Sequence, residues 1–196
     1  MKAKKLLGLS LIFVLLLGGA AALYERLSTK AGADQLVEQN PEEQEDGSES
    51  AQDEGSEMIT APDFSVYDAE GNEVKLSDFF GKPIVLNFWA SWCSPCKEEM
   101  QDFEEAHLEL QEEVQFLMVN LTDGSRETVD SALAYIEEQG FTFPVFYDTD
   151  TDAAQTYHVY SIPASFFIDA QGYAIARASG AIDRDTLKKG IDMITS

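Results

Sequence analysis

One stretch of this sequence joins an apolar run to the chain's only two cysteines: Ile84-Val85-Leu86-Asn87-Phe88-Trp89-Ala90-Ser91-Trp92-Cys93-Ser94-Pro95-Cys96. The run up to Trp89 is apolar apart from Asn87, which is typical of a strand buried on both faces. Apolar residues recur at helical spacing after the cysteines, so Cys93 is predicted at a helix N-terminus. One helical turn brings the sulfurs of Cys93 and Cys96 within bonding distance, and unpaired N–H groups there stabilise the thiolate of Cys93. The pattern indicates thiol–disulfide exchange, in which a thiolate is the attacking species.

Other uses of a cysteine pair fit this sequence less well, although a purely structural disulfide has the same spacing. A zinc site needs four ligands, and the only histidines, His107 and His158, stand apart from each other and from the cysteines. A peroxidase of the peroxiredoxin type has a threonine three residues before its reactive cysteine, where this chain has Ala90. A copper-binding assembly factor needs a wider cysteine spacing. No metal or other cofactor is expected, and a metal-binding assembly factor stays open as a minor alternative.

Residues 1–24 carry a membrane-targeting pattern. Lys2, Lys4 and Lys5 precede a run of apolar and small residues, 6–23, that only Ser10 interrupts. At about 1.5 Å per residue the run would measure roughly 27 Å, close to the thickness of a bilayer core. Lysines ahead of the run predict that the rest of the chain lies outside the cytoplasm. The three alanines at 20–22 also resemble a signal-peptidase site, so a cleaved signal peptide is the alternative to a retained single-pass anchor.

Residues 25–60 are predicted to form a disordered acidic linker. The chain has a formal net charge of −23, and the stretch from Asp34 to Glu57 contains many acidic residues and no Lys or Arg. Almost nothing in this stretch is apolar, so it cannot bury enough surface to offset the loss of chain entropy. The same acidity argues against nucleic-acid binding, because phosphate contacts need clustered Lys and Arg.

Residues 61–196 have the composition of a globular domain. Their patterns predict, in order, strand, strand, helix, strand, helix, short strand, hairpin and helix. The first helix is expected over about residues 94–113, the second ends at Gly140, and the last is capped by Asp183. Parallel crossovers followed by an antiparallel pair describe an α/β domain whose mixed central β-sheet is flanked by helices.

Three segments together resemble the thioredoxin superfamily, and within it the TlpA/ResA-like membrane-anchored extracytoplasmic thiol–disulfide oxidoreductases. They are residues 87–99 around the CxxC, Val159-Tyr160-Ser161-Ile162-Pro163, and Phe166-Phe167-Ile168-Asp169-Ala170-Gln171-Gly172. The resemblance implies a thioredoxin-like fold with an N-terminal β-hairpin and a helical insert between the central strand and the following helix. It also implies that Pro163 is a cis-proline beside the CxxC.

Site roles follow from the motif and the resemblance together. Cys93 is expected to attack the substrate disulfide, and Cys96 to resolve the mixed disulfide. Trp92 is expected to form an apolar docking surface, and the backbone of Ile162 beside Pro163 to pair with the substrate main chain.

Proton handling is the departure from the family pattern. Classical thioredoxins have a buried aspartate where this chain has Asn87, and some ResA-like members have a glutamate where it has Ser94. Proton transfer must then involve Glu98, Glu99, water or the partner protein. Helical spacing places both glutamates on the solvated side of their helix.

The expected function is reduction of disulfides in exported proteins, at the outer face of a bacterial cell membrane. The resemblance implies substrates such as apocytochrome c, and a membrane thiol-electron donor of the CcdA type. Oxidising compartments favour disulfides, so a reductase there needs electrons from across the membrane. A disulfide-forming oxidase of the same fold stays open, because the residues between the cysteines do not reveal the redox potential.

Overall fold

The computed structural model of the protein describes residues 36–38 and 58–196. The predicted anchor, residues 1–24, lies outside the described residues, as does most of the predicted linker, residues 25–60. Within the described part of the chain, no helix has both the length and the apolar character that a bilayer span requires.

The described chain contains one mixed sheet and four α-helices. The strands are β1 (Leu36–Glu38), β2 (Ser65–Tyr67), β3 (Glu73–Lys75), β4 (Ile84–Trp89), β5 (Gln115–Asn120), β6 (Val145–Tyr147), β7 (Ala164–Ile168) and β8 (Ala174–Ser179). The helices are α1 (Ser94–Leu110), α2 (Val129–Gln139), α3 (Asp152–Thr156) and α4 (Arg184–Ile194), with a 3-10 turn at Leu76–Phe79. The strand order across the sheet is β1-β8-β7-β4-β5-β6-β2-β3.

Strand β4 lies inside the sheet, parallel to β5 and antiparallel to β7. All six of its residues are buried, as its apolar sequence predicts. Because side chains alternate along a strand, Val85 and Trp89 enter a core that also holds residues of α1 and α4. Leu86 and Phe88 enter a second core on the other face, which also holds Ala153 of α3. The strand is therefore held from both sides, and it fixes the position of the cysteines that follow it.

The helix ends follow the predicted capping signals. α2 stops at Gly140, whose φ of 72° is left-handed. The Asp183 side chain accepts a hydrogen bond from the backbone N–H of Thr186 at 2.9 Å, which caps α4 as predicted. α1 ends at Leu110, a few residues earlier than expected.

The thioredoxin-like fold class is confirmed. β2 and β3 form the expected N-terminal hairpin, and α2 with β6 occupies the place of the helical insert, between β5 and α3. The five-residue helix α3 was not predicted, because it is too short for a periodic pattern.

Strand β1 lies within the stretch predicted to be disordered, and for these three residues that prediction is wrong. Leu36 pairs with Ala178 and Val37 with Arg177, so β1 extends the sheet beyond β8. Leu36 packs against the core beneath β8. Leu36 supplies the packing of this edge strand, whereas the adjacent Val37 is exposed.

Candidate active site

Cys93 and Cys96 lie at the junction between the end of β4 and the start of α1. Cys93 is the N-cap of α1, and Pro95 occupies its first turn, where a missing N–H leaves no hydrogen bond unmade. The two cysteines form a disulfide with an S–S distance of 2.02 Å. The backbone N–H of Cys96 donates to the Sγ of Cys93 at 3.2 Å. A thiolate at Cys93 would accept the same hydrogen bond and face the positive end of the helix dipole, so the site favours that thiolate.

The bond between Ile162 and Pro163 is cis, as the resemblance implies. Pro163 directly precedes β7, the antiparallel neighbour of β4, so this turn lies against the end of β4. The carbonyl oxygen of Ile162 is 3.8 Å from the Sγ of Cys93. The turn at Ile162 and Pro163 therefore lies next to the CxxC segment, with the carbonyl oxygen of Ile162 beside the sulfur of Cys93.

The two tryptophans of the motif have different surroundings. Trp92 is 40% exposed directly before Cys93, whereas Trp89 is fully buried in the core. Only Trp92 can therefore contact a partner protein.

Glu99 is not on a solvated face, and that expectation is wrong. Only 2% of its surface is exposed. Its Oε1 accepts a hydrogen bond from the Asn87 side chain at 2.8 Å, and its Oε2 accepts one from the backbone N–H of Ile182 at 2.9 Å. Glu98 is exposed on the same helix. The spacing could have indicated this difference, because Glu99 lies three residues after Cys96, on its side of the helix.

Burial raises the pKa of Glu99 from its usual 4.5 to about 7, against the opposing effect of the hydrogen bonds from Ile182 and Asn87. A carboxyl group with such a pKa exchanges its proton near neutral pH, which suits a general acid or base. Glu99 lies one helical turn beyond Cys96, on the same side of α1 as the thiol that must lose a proton. Asn87 stands at the position of the aspartate in classical thioredoxins. Its amide donates a hydrogen bond to Glu99 but cannot itself serve as the proton acceptor.

A second buried carboxylate braces the turn before Cys93. Glu127 is fully buried, and its side chain accepts hydrogen bonds from the backbone N–H of Ser91 at 2.9 Å and the Ser91 hydroxyl at 2.8 Å. The side chain of Asn120, at the end of β5, donates to the same carboxylate at 2.8 Å. Glu127 was not predicted as a site residue, because nothing in the loop sequence distinguishes a buried acid from an exposed one.

A disulfide at the N-terminus of a helix, beside a cis-proline and in a thioredoxin-like sheet, defines the class of thiol–disulfide oxidoreductases. Among the described residues, no group of three or more His, Cys, Asp or Glu side chains could hold a metal ion.

Comparison with known proteins supports this class. The profile described as "AhpC/TSA family" matches residues 59–176, more than half of the chain. The thiol–disulfide oxidoreductase ResA of Geobacillus kaustophilus is 32% identical over 136 residues, which cover 69% of this chain and 76% of the relative. ResA of Geobacillus thermodenitrificans is 34% identical with the same coverage. The crystal structure of StoA from Bacillus subtilis superposes with a TM-score of 0.56 at 27% identity, covering 67% of this chain and 98% of StoA. The chain belongs to the AhpC/TSA family and, within it, to the ResA-like thiol–disulfide oxidoreductases.

Proposed function

We propose that this oxidoreductase reduces disulfides in exported proteins, apocytochrome c among them, at the outer face of a bacterial cell membrane. The observation that carries the proposal is the Cys93–Cys96 disulfide at the start of α1, with the buried Glu99 one turn beyond. The ResA relatives support the same activity class. A single-pass anchor in residues 1–24 would hold the domain outside the cytoplasm.

The proposed reaction begins with the reduced protein, in which Cys93 is a thiolate and Cys96 a thiol. The Cys93 thiolate attacks one sulfur of the substrate disulfide, and the other substrate sulfur leaves as a thiolate that takes up a proton. Glu99, as carboxylate, accepts the proton of Cys96. The Cys96 thiolate then attacks the sulfur of Cys93 and releases the second substrate thiolate. The substrate gains two electrons, and the protein ends as the disulfide. A membrane thiol-electron donor of the CcdA type would restore the dithiol.

Two cysteine variants test the assigned roles. Cys93→Ser is expected to abolish exchange, because the remaining thiol is fully buried. Cys96→Ser is expected to accumulate mixed disulfides, since the first step proceeds and the second cannot. Non-reducing gels after incubation with a disulfide substrate would show this. Faster alkylation of Cys96 than of Cys93 by iodoacetamide would contradict the assignment.

The equilibrium redox potential decides between the reductase and the oxidase of the same fold. For a reductase we expect a value near that of thioredoxin, about −270 mV, and for an oxidase one near that of DsbA, about −120 mV. Equilibration with dithiothreitol or glutathione buffers would measure it. N-terminal sequencing of membrane-associated protein would test the anchor, since a mature chain beginning near residue 23 would show cleavage by signal peptidase.

A further inference from the structure

Two positively charged side chains lie beside the active-site cysteines, each over an aromatic ring. The guanidinium carbon of Arg126 is 3.4 Å from the ring centroid of Trp92, the residue before Cys93. The Nζ of Lys97, the residue after Cys96, is 4.7 Å from the ring centroid of Tyr135. Both cations are exposed. Neither forms an ion pair with a carboxylate among the residues that the structure describes.

These two cations lie within a strongly acidic domain. Residues 58–196 contain far more Asp and Glu than Lys and Arg. Elsewhere, Arg184 pairs with Glu105 and Lys188 with Asp192. A typical part of this surface therefore repels anions, whereas the rim of the active site presents two cations.

The loop after β5 holds Arg126 in place over Trp92. The Oδ1 of Asp123 accepts the backbone N–H groups of Ser125 and Arg126 at 2.7 Å each, and that of Glu127 at 3.0 Å. The carboxylate of Glu127 is directed inward, to Ser91 and Asn120. The pKa of Asp123 is lowered mainly by the hydrogen bonds from the backbone N–H groups of Glu127 and Ser125, and attraction to the Arg126 guanidinium makes a smaller contribution.

At 3.4 Å from the ring centroid of Trp92, the guanidinium carbon leaves room only for a near-parallel arrangement of the two planes, which keeps the N–H edges available. An arginine that lies flat on an aromatic ring still presents a planar edge, which matches the two oxygens of a carboxylate. Stacking also fixes the side chain before a partner arrives, so less rotamer entropy is lost on binding. Trp92 adjoins Cys93, so a carboxylate bound by Arg126 would belong to a residue close to the cysteine under attack.

We infer that Arg126, with Lys97, selects substrates in which Asp or Glu lies next to the target disulfide. This inference rests on the proposed function and names the substrate class of the same site. A rival role for the two cations, stabilisation of the Cys93 thiolate, would speed reaction with every substrate alike. The two roles are therefore distinguished by the ratio of the rates measured with an acidic and a neutral substrate, and not by the rate with one substrate alone.

The test uses two peptides that contain the same intramolecular disulfide, flanked in one by Asp and in the other by the isosteric Asn. The full-length chain is reduced, and the second-order rate constant for its oxidation by each peptide is measured. An exposed ion pair corresponds to a ratio of about three in favour of the Asp peptide, and this preference should shrink in high salt. The acidity of the whole chain acts in the opposite direction and would make the Asp peptide react more slowly.

Arg126→Gln is expected to bring the ratio to about one or below, and Arg126→Lys to retain part of the preference. Lys189→Gln is the matched control, because it removes the same charge from an exposed position on α4, and its ratio should equal that of the wild type. A wild-type ratio of one or less would overturn the inference, as would equal slowing of both peptides by Arg126→Gln. If the wild type reacted with neither peptide, the proposed function would fail and this inference with it.

Discussion

Glu99→Gln isolates the energetic effect of the buried carboxyl group. The folded protein holds the pKa of Glu99 at about 7, above its usual 4.5. A raised pKa means that folding favours the protonated form, so this contribution to stability is fully present below about pH 4.5. It is lost as the pH rises through about 7. At about 1.4 kcal/mol for each tenfold change in an ionisation constant, the loss is about 3 kcal/mol.

The glutamine variant cannot ionise and should not show this loss. Its amide oxygen can accept from the backbone N–H of Ile182, as Oε2 does now. Its amide nitrogen would then face the Asn87 nitrogen that now donates to Glu99, so the Asn87 amide has to turn over and present its Oδ1, which has no hydrogen-bond partner among the described residues. We therefore expect the stability of the variant relative to the wild type to rise by about 3 kcal/mol between about pH 4.5 and pH 8.5. Urea denaturation of the two oxidised proteins across this range is the assay.

Glu98→Gln is the matched control, because it removes an exposed carboxylate from the adjacent position. Its effect should stay within about 0.5 kcal/mol at every pH. Parallel stability curves for wild type and Glu99→Gln would refute the assigned burial and pKa. A kinetic measurement separates stability from catalysis: mixed-disulfide resolution in Glu99→Gln should be at least about tenfold slower at pH 7 if Glu99 takes the proton of Cys96.

Three further substitutions test the surroundings of the site. Asn87→Asp places a second carboxyl group beside Glu99, and two such groups share one proton. Resolution of the mixed disulfide should therefore persist to lower pH, while the free energy of unfolding above about pH 8 falls by a few kcal/mol. Identical stopped-flow profiles of resolution against pH for the two proteins would contradict this. Gly190→Ala would put a Cβ into steric overlap with the ring of the buried Phe167, so thermal unfolding should show a loss of about 1–3 kcal/mol in stability despite the better helix propensity of alanine. Asp183→Ala removes the N-cap of α4 and should lower stability by about 1 kcal/mol in the same assay, whereas an unchanged midpoint would mean that the cap contributes nothing.

Local sequence patterns were sufficient to predict the main strands and helices and the two reacting sulfur atoms. The apolar run of β4, the spacing of Cys93 and Cys96, and the stop at Gly140 each depend on a few neighbouring residues. The cis bond at Pro163 needed the family resemblance, because sequence spacing alone says nothing about an isomer.

The surroundings of the cysteines depend on contacts between distant parts of the chain. Glu99 is stabilised by a side chain 12 residues earlier and a backbone N–H 83 residues later, and the partner of Glu127 at Ser91 is 36 residues away. Carboxylates are mostly exposed unless such partners exist. Local periodicity therefore places an acid on the surface by default, and only the assembled sheet shows which acids are buried.

The depth of the disulfide limits which partners can react with it. Cys93 is 4% exposed and Cys96 is fully buried. A partner sulfur must approach to about 2 Å to form a bond. A cysteine recessed in the flat surface of a folded protein cannot come that close, whereas one on a protruding loop, at a chain end or in an unfolded segment can. We therefore expect the protein to react faster with unfolded chains and protruding loops than with cysteines recessed in a folded partner, whatever side chains surround them.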